Sequence, residues 1–355
     1  MFAQIKNKKI GIEITVYSEE NNIIKLIKFI YKILVIDILV IKWNMKNFFR
    51  KLYDIFLGIL IIPCSLVLLK YKKRAPQNHP FATFILKKIG IFPIINHYYE
   101  PKFNFTIQEE KVHKKRNLKS IKLNVPQQLN LLKKLKFASE IKDLFVNKKT
   151  KNYNFYINNG SFEECDSEIY YQMIRHLKPK KIIEIGSGHS TLICLEAIKK
   201  NNFFTDLTCI EPFENKWLEK LKIKVLRKKL ENTNINWSKK LNKNDILFID
   251  SSHIIKPDGD VLKFYLEILP RLKKGVVVHI HDIFTPKNYN YDWVFKHLRL
   301  WNEQYLLEGI LSNSNRYEVL LSLNFLKNKY FGNLKKSSPF LKKKTEPASI
   351  YLRVK

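Results

Sequence analysis

Lys181-Ile182-Ile183-Glu184-Ile185-Gly186-Ser187-Gly188-His189-Ser190-Thr191 passes from a short apolar run through two closely spaced glycines into a stretch that can continue as a helix. That order spells a buried strand, a tight turn and a helix N-terminus. Glycines at 186 and 188 let the backbone come close to a ligand, and the helix that follows offers free N–H groups to a polar or anionic one. A dinucleotide fingerprint needs a third glycine at position 191, where Thr191 stands. Alone, the turn marks a ligand loop, with an ordinary strand-to-helix connection as the plain alternative.

Outward from this turn, short apolar runs alternate with amphipathic stretches. Strands are expected at 181–185, 207–211, 223–226, 246–250 and 275–280, and two late ones at 317–323 and 349–354. Helices are expected at 168–177, 190–200, 215–221, 238–241, 260–272 and 291–311. Alternation of this kind argues for an open α/β sheet with parallel strands, which binds ligands at the strands' C-terminal edge. Polar residues gather at that edge. Leu207–Glu211 ends in an acid, Asn244–His253 delivers Asp250 and His253, and Val278-His279-Ile280-His281-Asp282 ends in His281 and Asp282.

In this order the segments resemble the Methyltransf_24-like group of class I S-adenosylmethionine-dependent methyltransferases. The likeness rests on Glu184-Ile185-Gly186-Ser187-Gly188, on Phe248-Ile249-Asp250-Ser251-Ser252-His253 and on His281-Asp282-Ile283-Phe284. Ser190 replaces the third glycine common in the first motif. The resemblance implies a Rossmann-like seven-stranded sheet, mostly parallel with the last strand antiparallel, and helices on both faces. It also implies S-adenosyl-L-methionine as cofactor, held by Glu184, Gly186, Ser187, Gly188, Glu211 and Asp250. The reaction it implies is methylation, with oxygen of a saccharide, a glycolipid or a small metabolite as the expected acceptor.

For an alcohol acceptor a base is needed, and His253 with Asp250 is the catalytic candidate because a free imidazole titrates near neutrality. A histidine there can equally cap the neighbouring backbone. Asp250, His281 and Asp282 fall at adjacent strand ends and form a candidate divalent-metal site, which the imidazole biases towards Mn, Fe or Zn. Alternatively the two acids only hydrogen-bond the cofactor and nearby turns. His279 sits one pleat back and reads as structural. Tyr98, Tyr99, Trp301 and Tyr305 are candidates for an acceptor pocket or for core.

Two other functions compete with methyl transfer. One is a nicotinamide-dependent oxidoreductase, which Thr191 opposes; the other is a non-catalytic membrane-surface or RNA-binding module on the same fold. The formal charge of +32 favours anionic partners in general. It comes from 55 Lys and only 9 Arg, whereas phosphate and base recognition lean on the planar arginine fork. Nucleic acid is therefore not the expected partner. An anionic membrane surface is, because residues 1–75 consist of apolar runs embedded in lysines.

The first run, 23–41, carries Lys25, Lys28 and Lys32 on one helical face, as a membrane-surface helix or a helix packed on the domain does. The second, 55–69, is uncharged but shorter than the roughly 20 residues of a span. Pro63 at its centre suggests a kinked, re-entrant anchor with both ends on the cytoplasmic side. Cys64, Cys165, Cys194 and Cys209 form no C-x-x-C pair, in keeping with a reducing compartment. The expected organisation is thus a basic apolar segment over 1–75, a lysine-rich connection over 76–150 and the α/β domain over 151–355. The expected location is the cytoplasm, peripheral or monotopic at the inner membrane face.

Overall fold

The computed structural model describes residues 45–74, 76–95, 100–101, 116–144 and 153–355. The lysine-bearing run 23–41 and the Tyr98-Tyr99 pair lie outside the described residues. The chain divides into two compact units, Met1–Ile107 and Gln108–Lys355.

In the first unit, helix α1 (Met45–Lys73) runs for 29 residues and passes through Pro63. Proline removes one backbone donor but does not by itself end a helix whose other hydrogen bonds persist. The re-entrant geometry expected at Pro63 needs a break, and α1 has none. Its apolar side chains, among them Phe56, Leu60, Leu66 and Val67, are exposed. The stretch Asn47–Lys73 is long and apolar enough to cross a bilayer by length and composition. Helix α2 (Pro80–Ile89) starts on a proline and ends at Gly90, whose φ of 84° lets its N–H cap the carbonyls of Leu86 and Lys87. The Tyr71 and Thr83 hydroxyls pair at 2.7 Å and tie α2 to the end of α1.

The second unit is built on a seven-stranded sheet. Its strands are β1 (Lys181–Ile185), β2 (Asp206–Ile210), β3 (Lys224–Leu226), β4 (Ile246–Ile249), β5 (Val277–Ile280), β6 (Tyr317–Ser322) and β7 (Ile350–Val354), in spatial order β3-β2-β1-β4-β5-β7-β6. Strands β1 to β5 are parallel, and β7 lies antiparallel between β5 and β6. This is the expected mostly parallel sheet with an antiparallel last strand. Period-two alternation divides its side chains between two cores. Ile182, Cys209, Phe248, Val277 and Tyr351 face one, and Ile183, Ile185, Leu247, Val278 and Leu352 face the other.

The first core takes in helices α3 (Val125–Lys134), α4 (Ala138–Leu144), α5 (Asp166–Leu177) and α6 (His189–Asn201), through Leu132, Ile141, Ile169 and Ile193 among others. The compact unit therefore begins well before residue 151. Lysines on the outer faces of α3 and α4 conceal an apolar stripe too short to stand out in sequence. Helix α7 (Trp237–Lys240) follows β3. Over the second core lies α8 (Asp260–Leu262), continued by a π-helix, Lys263–Ile268, and a 3-10 turn, Leu269–Arg271. The expected helix over 291–311 is two pieces, a π-helical Asp292–Lys296 and helix α9 (Glu303–Asn313). Leu298, at φ 52°, and Asn302, a helix-starting residue, interrupt the periodicity between them. Helices α10 (Leu323–Lys329) and α11 (Phe331–Ser337) connect β6 to β7.

Candidate functional site

Strand order reverses between β1 and β4, since β2 follows on one side of β1 and β5 on the other side of β4. In open α/β sheets the crevice outside the carboxyl ends at such a point is where ligands bind. Gly186 stands there at φ 78°, and a Cβ on it would come within 1.7 Å of the Asp250 carbonyl oxygen. Both the left-handed backbone and the approach of β4 require glycine. Gly188 has extended backbone, but a Cβ there would meet Asn215 Nδ2 at 2.7 Å, and that amide donates to the Ser187 carbonyl at 2.8 Å. The turn is thereby clamped between the β2 and β4 loops.

Glu184 occupies a place different from the one expected of a ligand contact. Alternation turns it into the first core, where it is fully buried and accepts hydrogen bonds from Thr191 Oγ1 at 2.5 Å and Tyr170 Oη at 3.2 Å. Thr191 Oγ1 in turn accepts the Gly188 N–H at 3.1 Å. Burial raises the Glu184 pKa to about 7, against the opposing hydrogen bonds. The carboxyl thus supports the turn from behind.

Glu211, at the end of β2, is nearly buried. It accepts the backbone N–H of Ser187 at 3.2 Å on one oxygen, and those of Phe213 and Glu214 at 3.1 and 3.0 Å on the other. A carboxylate has about four lone-pair sites, so further donors can be accepted. Ser187 Oγ is buried without a hydrogen bond of good geometry. A cradle closed to any side chain, an unsatisfied buried hydroxyl and an acid with acceptor capacity left over fit a cofactor with hydroxyl and amino donors.

Beside this cradle the ends of β4 and β5 bring six ionisable groups together. His253 Nε2 lies 3.1 Å from Asp250 and 3.4 Å from Asp282, while its Nδ1 pairs with Glu303 Oε2 at 2.8 Å. His281 Nδ1 lies 3.4 and 3.5 Å from Asp250 and Asp282, and its Nε2 lies 4.0 Å from Asp166. His253 and Asp282 both have left-handed backbone, with φ 58° and 59°. Strain at two non-glycine residues of one cluster marks a site that the surroundings hold in place. The holding groups are visible. Asp260 accepts from the Ser252 N–H and hydroxyl at 2.8 and 2.6 Å, and the His253 carbonyl accepts the N–H groups of Asn302 and Glu303 at 3.0 and 3.1 Å.

Charge settles on the two imidazoles. Burial opposes protonation of His253, but hydrogen bonds to Asp250 and Glu303 and the charge of Asp282 outweigh it and raise its pKa well above the usual value. Burial likewise opposes protonation of His281, and the Asp282 and Asp250 charges raise its pKa to about 10. For Asp250, burial is outweighed by His281 and His253, so its carboxyl stays below the ordinary range. Burial raises Asp282 and Asp166. The cluster thus favours the protonated form of both imidazoles.

One donor atom each from Asp250, His253 and Asp282 lie within 4.8 Å of one another, a grouping that can hold a metal ion. His253 thus stands where the sequence suggested His281, because the loop after β4 folds back between the two strand ends. The Glu303 contact to Nδ1 fixes the tautomer with Nε2 towards the acids, the usual arrangement behind a metal-bound imidazole. His279 is fully buried against Tyr351 and bonded to Ser349 at 2.8 Å. Its pKa is held well below normal by burial, so it is a neutral core group. Trp301 packs on His253 with 4.3 Å between ring centroids, while Tyr305 stacks on Arg116 and Tyr289 away from the acids. Glu303 and Asp166 escaped sequence reading, since neither belongs to a strand end and each reaches the site only through tertiary packing.

Residues 183–283, which include the turn, Glu211, Asp250, His253 and Asp282, match the family model of a methyltransferase domain. Over those residues the chain resembles a methyltransferase domain. A protein of Archaeoglobus fulgidus with no assigned role is 35% identical to this chain over 148 residues, 38% of this chain and 64% of that protein. The chain thus spans slightly less than two thirds of the curated relative it matches. Among solved structures it is similar to an SAH-bound methyltransferase, PaMTH1, of Podospora anserina. There the identity is 18% and the TM-score 0.35, with 53% of this chain and 77% of that one covered. It is also similar to an O-methyltransferase of Bacillus cereus in complex with SAH, at 13% identity and a TM-score of 0.33, covering 64% and 91%.

Proposed function

We propose that the chain transfers a methyl group from S-adenosylmethionine to an oxygen of a small metabolite, a saccharide or a glycolipid. The observation that carries this reading is the closed glycine turn at the sheet's switch point, set against the Asp250–His253–Asp282 cluster at the next two strand ends. Gly186, Ser187 and Gly188 would hold the cofactor by backbone approach. Glu211 would accept from its ribose hydroxyls, and Asp250, beside the turn, from its amino group. When bound, the sulfonium supplies an electrophilic methyl for in-line displacement.

The protein's own part is to orient the acceptor and to ease the loss of its proton. A divalent cation held by Asp250, His253 and Asp282 would supply Lewis acidity that lowers the acceptor's pKa, and an imidazole among the ligands suits Mn, Fe or Zn. In this reading His253 serves as a ligand and Glu303 as the residue that positions it. The hydroxyl proton, made more acidic in this way, passes to water.

Calorimetric titration tests the cofactor. S-adenosylmethionine and S-adenosylhomocysteine are expected to bind saturably, and NAD to give no heat. Glu211→Ala should weaken the homocysteine product about tenfold or more through the lost ribose contacts. Binding of NAD in place of S-adenosylhomocysteine would return the fold to the oxidoreductase reading.

A further inference from the structure

The segment between β5 and α9 reaches the site where Trp301 packs on His253, and it carries an arrangement that methyl transfer itself does not need. The guanidinium carbon of Arg299 lies 4.8 Å from the ring centroid of Trp293 and 4.6 Å from that of Trp301. The two indoles meet edge to face at 5.2 Å, and Trp301 lies against the His253 imidazole. These three centres form a near-equilateral triangle, so the guanidinium covers the corner where the two indoles meet; Arg299 N–H donates to the Trp293 carbonyl at 2.9 Å, after the left-handed turn at Leu298.

Among the described residues the Arg299 guanidinium has no hydrogen-bond acceptor and no ion pair. Other arginines of this unit are anchored otherwise. Arg116 makes a two-point pair with Glu308 at 2.7 and 2.5 Å, Arg175 with Glu140 at 2.9 and 2.8 Å, and Arg227 with Glu219 at 2.6 and 2.8 Å. Its charge acts on Asp282 without a pairing within 4 Å among the described residues. What remains is a partly exposed guanidinium resting against two indoles, with N–H donors that no described residue accepts. Contact with the rings restricts its rotamers in advance, which lowers the ordering cost of docking an oxyanion on it.

We propose that Arg299, resting against Trp293 and Trp301, binds an oxyanion carried by the methyl acceptor, a carboxylate or a phosphate, while Trp301 offers its face to the acceptor's ring. The acceptor class is then an acidic ring compound, such as a sugar acid, a sugar phosphate or an aromatic acid. A neutral saccharide would leave the fork unused. The assignment rests on the methyltransferase reading for the word acceptor, but the anion site stands on its own geometry.

Tryptophan fluorescence of the full chain, titrated in EDTA at constant ionic strength with inorganic phosphate, sodium acetate or chloride, tests it. Phosphate or acetate is expected to give a saturable change at millimolar concentration that chloride does not, and the stronger of the two tells phosphate from carboxylate. Arg299→Met should weaken that response at least tenfold, with S-adenosylhomocysteine affinity and melting temperature unchanged. Arg299→Lys, which keeps the charge and loses the fork, should lie between and serves if the methionine variant does not fold. Identical curves for wild type and variants, or no response beyond chloride, overturn the proposal. Failure of S-adenosylhomocysteine to bind, with the Arg299-dependent response intact, would instead remove the methyl-transfer reading and leave an anion site.

Discussion

Glu184 shows how one residue type can serve a motif from behind. Its carboxyl titrates near 7 in the folded chain against 4.5 for an unburied one. Between those values the folded state holds more protons than the unfolded state, so this group's contribution is complete below pH 4.5 and is lost as pH rises through 7. The limit is about 3 kcal/mol, from roughly 2.5 pH units at 1.36 kcal/mol each. Glu184→Gln removes the titration while keeping an acceptor for Thr191. Thermal melts at pH 5 and pH 8 should therefore show a smaller loss of stability with pH for the variant than for wild type. Equal losses would mean that the carboxyl ionises in the fold at its ordinary pH. Gly186 and Gly188 were legible as glycines with a purpose, whereas the purpose of Glu184 depended on which face of β1 it took.

Among the elements, α9 decides most about the site. Glu303, its first residue, bonds His253 Nδ1, and the neighbouring Asn302 accepts the Ile255 N–H at 2.6 Å, so one helix start orients the whole loop after β4. Gln304 and Glu308 extend the same service to the loop after β5, through Phe284 N and Thr285 Oγ1 at 2.6 and 2.7 Å. If His253 is a metal ligand, Glu303→Gln leaves the helix in place but weakens the imidazole's orientation and basicity. Manganese affinity of the full chain, measured by calorimetry, should then fall about 10- to 100-fold. An unchanged affinity would exclude His253 from the ligand set. In sequence this element was merged with the π-helical turn before it, because no glycine or proline separates them and the left-handed turn at Leu298 leaves no compositional mark.

At the scale of the whole molecule, the first unit raises the question of a membrane. Helix α1, with 29 residues, measures about 43 Å at 1.5 Å per residue, and among the described residues its apolar side chains are left exposed. If it enters a lipid bilayer, Lys70, Lys72, Lys73 and Arg74 at one end suit anionic headgroups. Flotation of the full chain with vesicles of neutral or anionic lipid checks this. The chain is expected to rise with both and more strongly with the anionic ones. Leu60→Lys with Ile61→Lys, at about 3 kcal/mol each near the bilayer centre, should leave it at the bottom. Retention of wild-type chain in the soluble fraction would rule the anchor out. The charge of +32, mostly lysine, adds a general attraction to such surfaces.

The sequence by itself determined the alternation of strands and helices, the glycine turn and the acids at the strand ends. Each of these is written in short-range periodicity and in residue types that only one local backbone tolerates. It also held the whole set Glu211, Asp250, His253, His281 and Asp282, as separate letters in chain order. Only the tertiary structure decided how they work together. Sheet order set β1 between β2 and β4, the fold-back at His253 put an imidazole between two carboxylates, and α9 brought Glu303 to it from 50 residues away. Arg299 against its two indoles belongs to the same class. Such convergence depends on how distant segments pack, and no local pattern encodes distance across a fold.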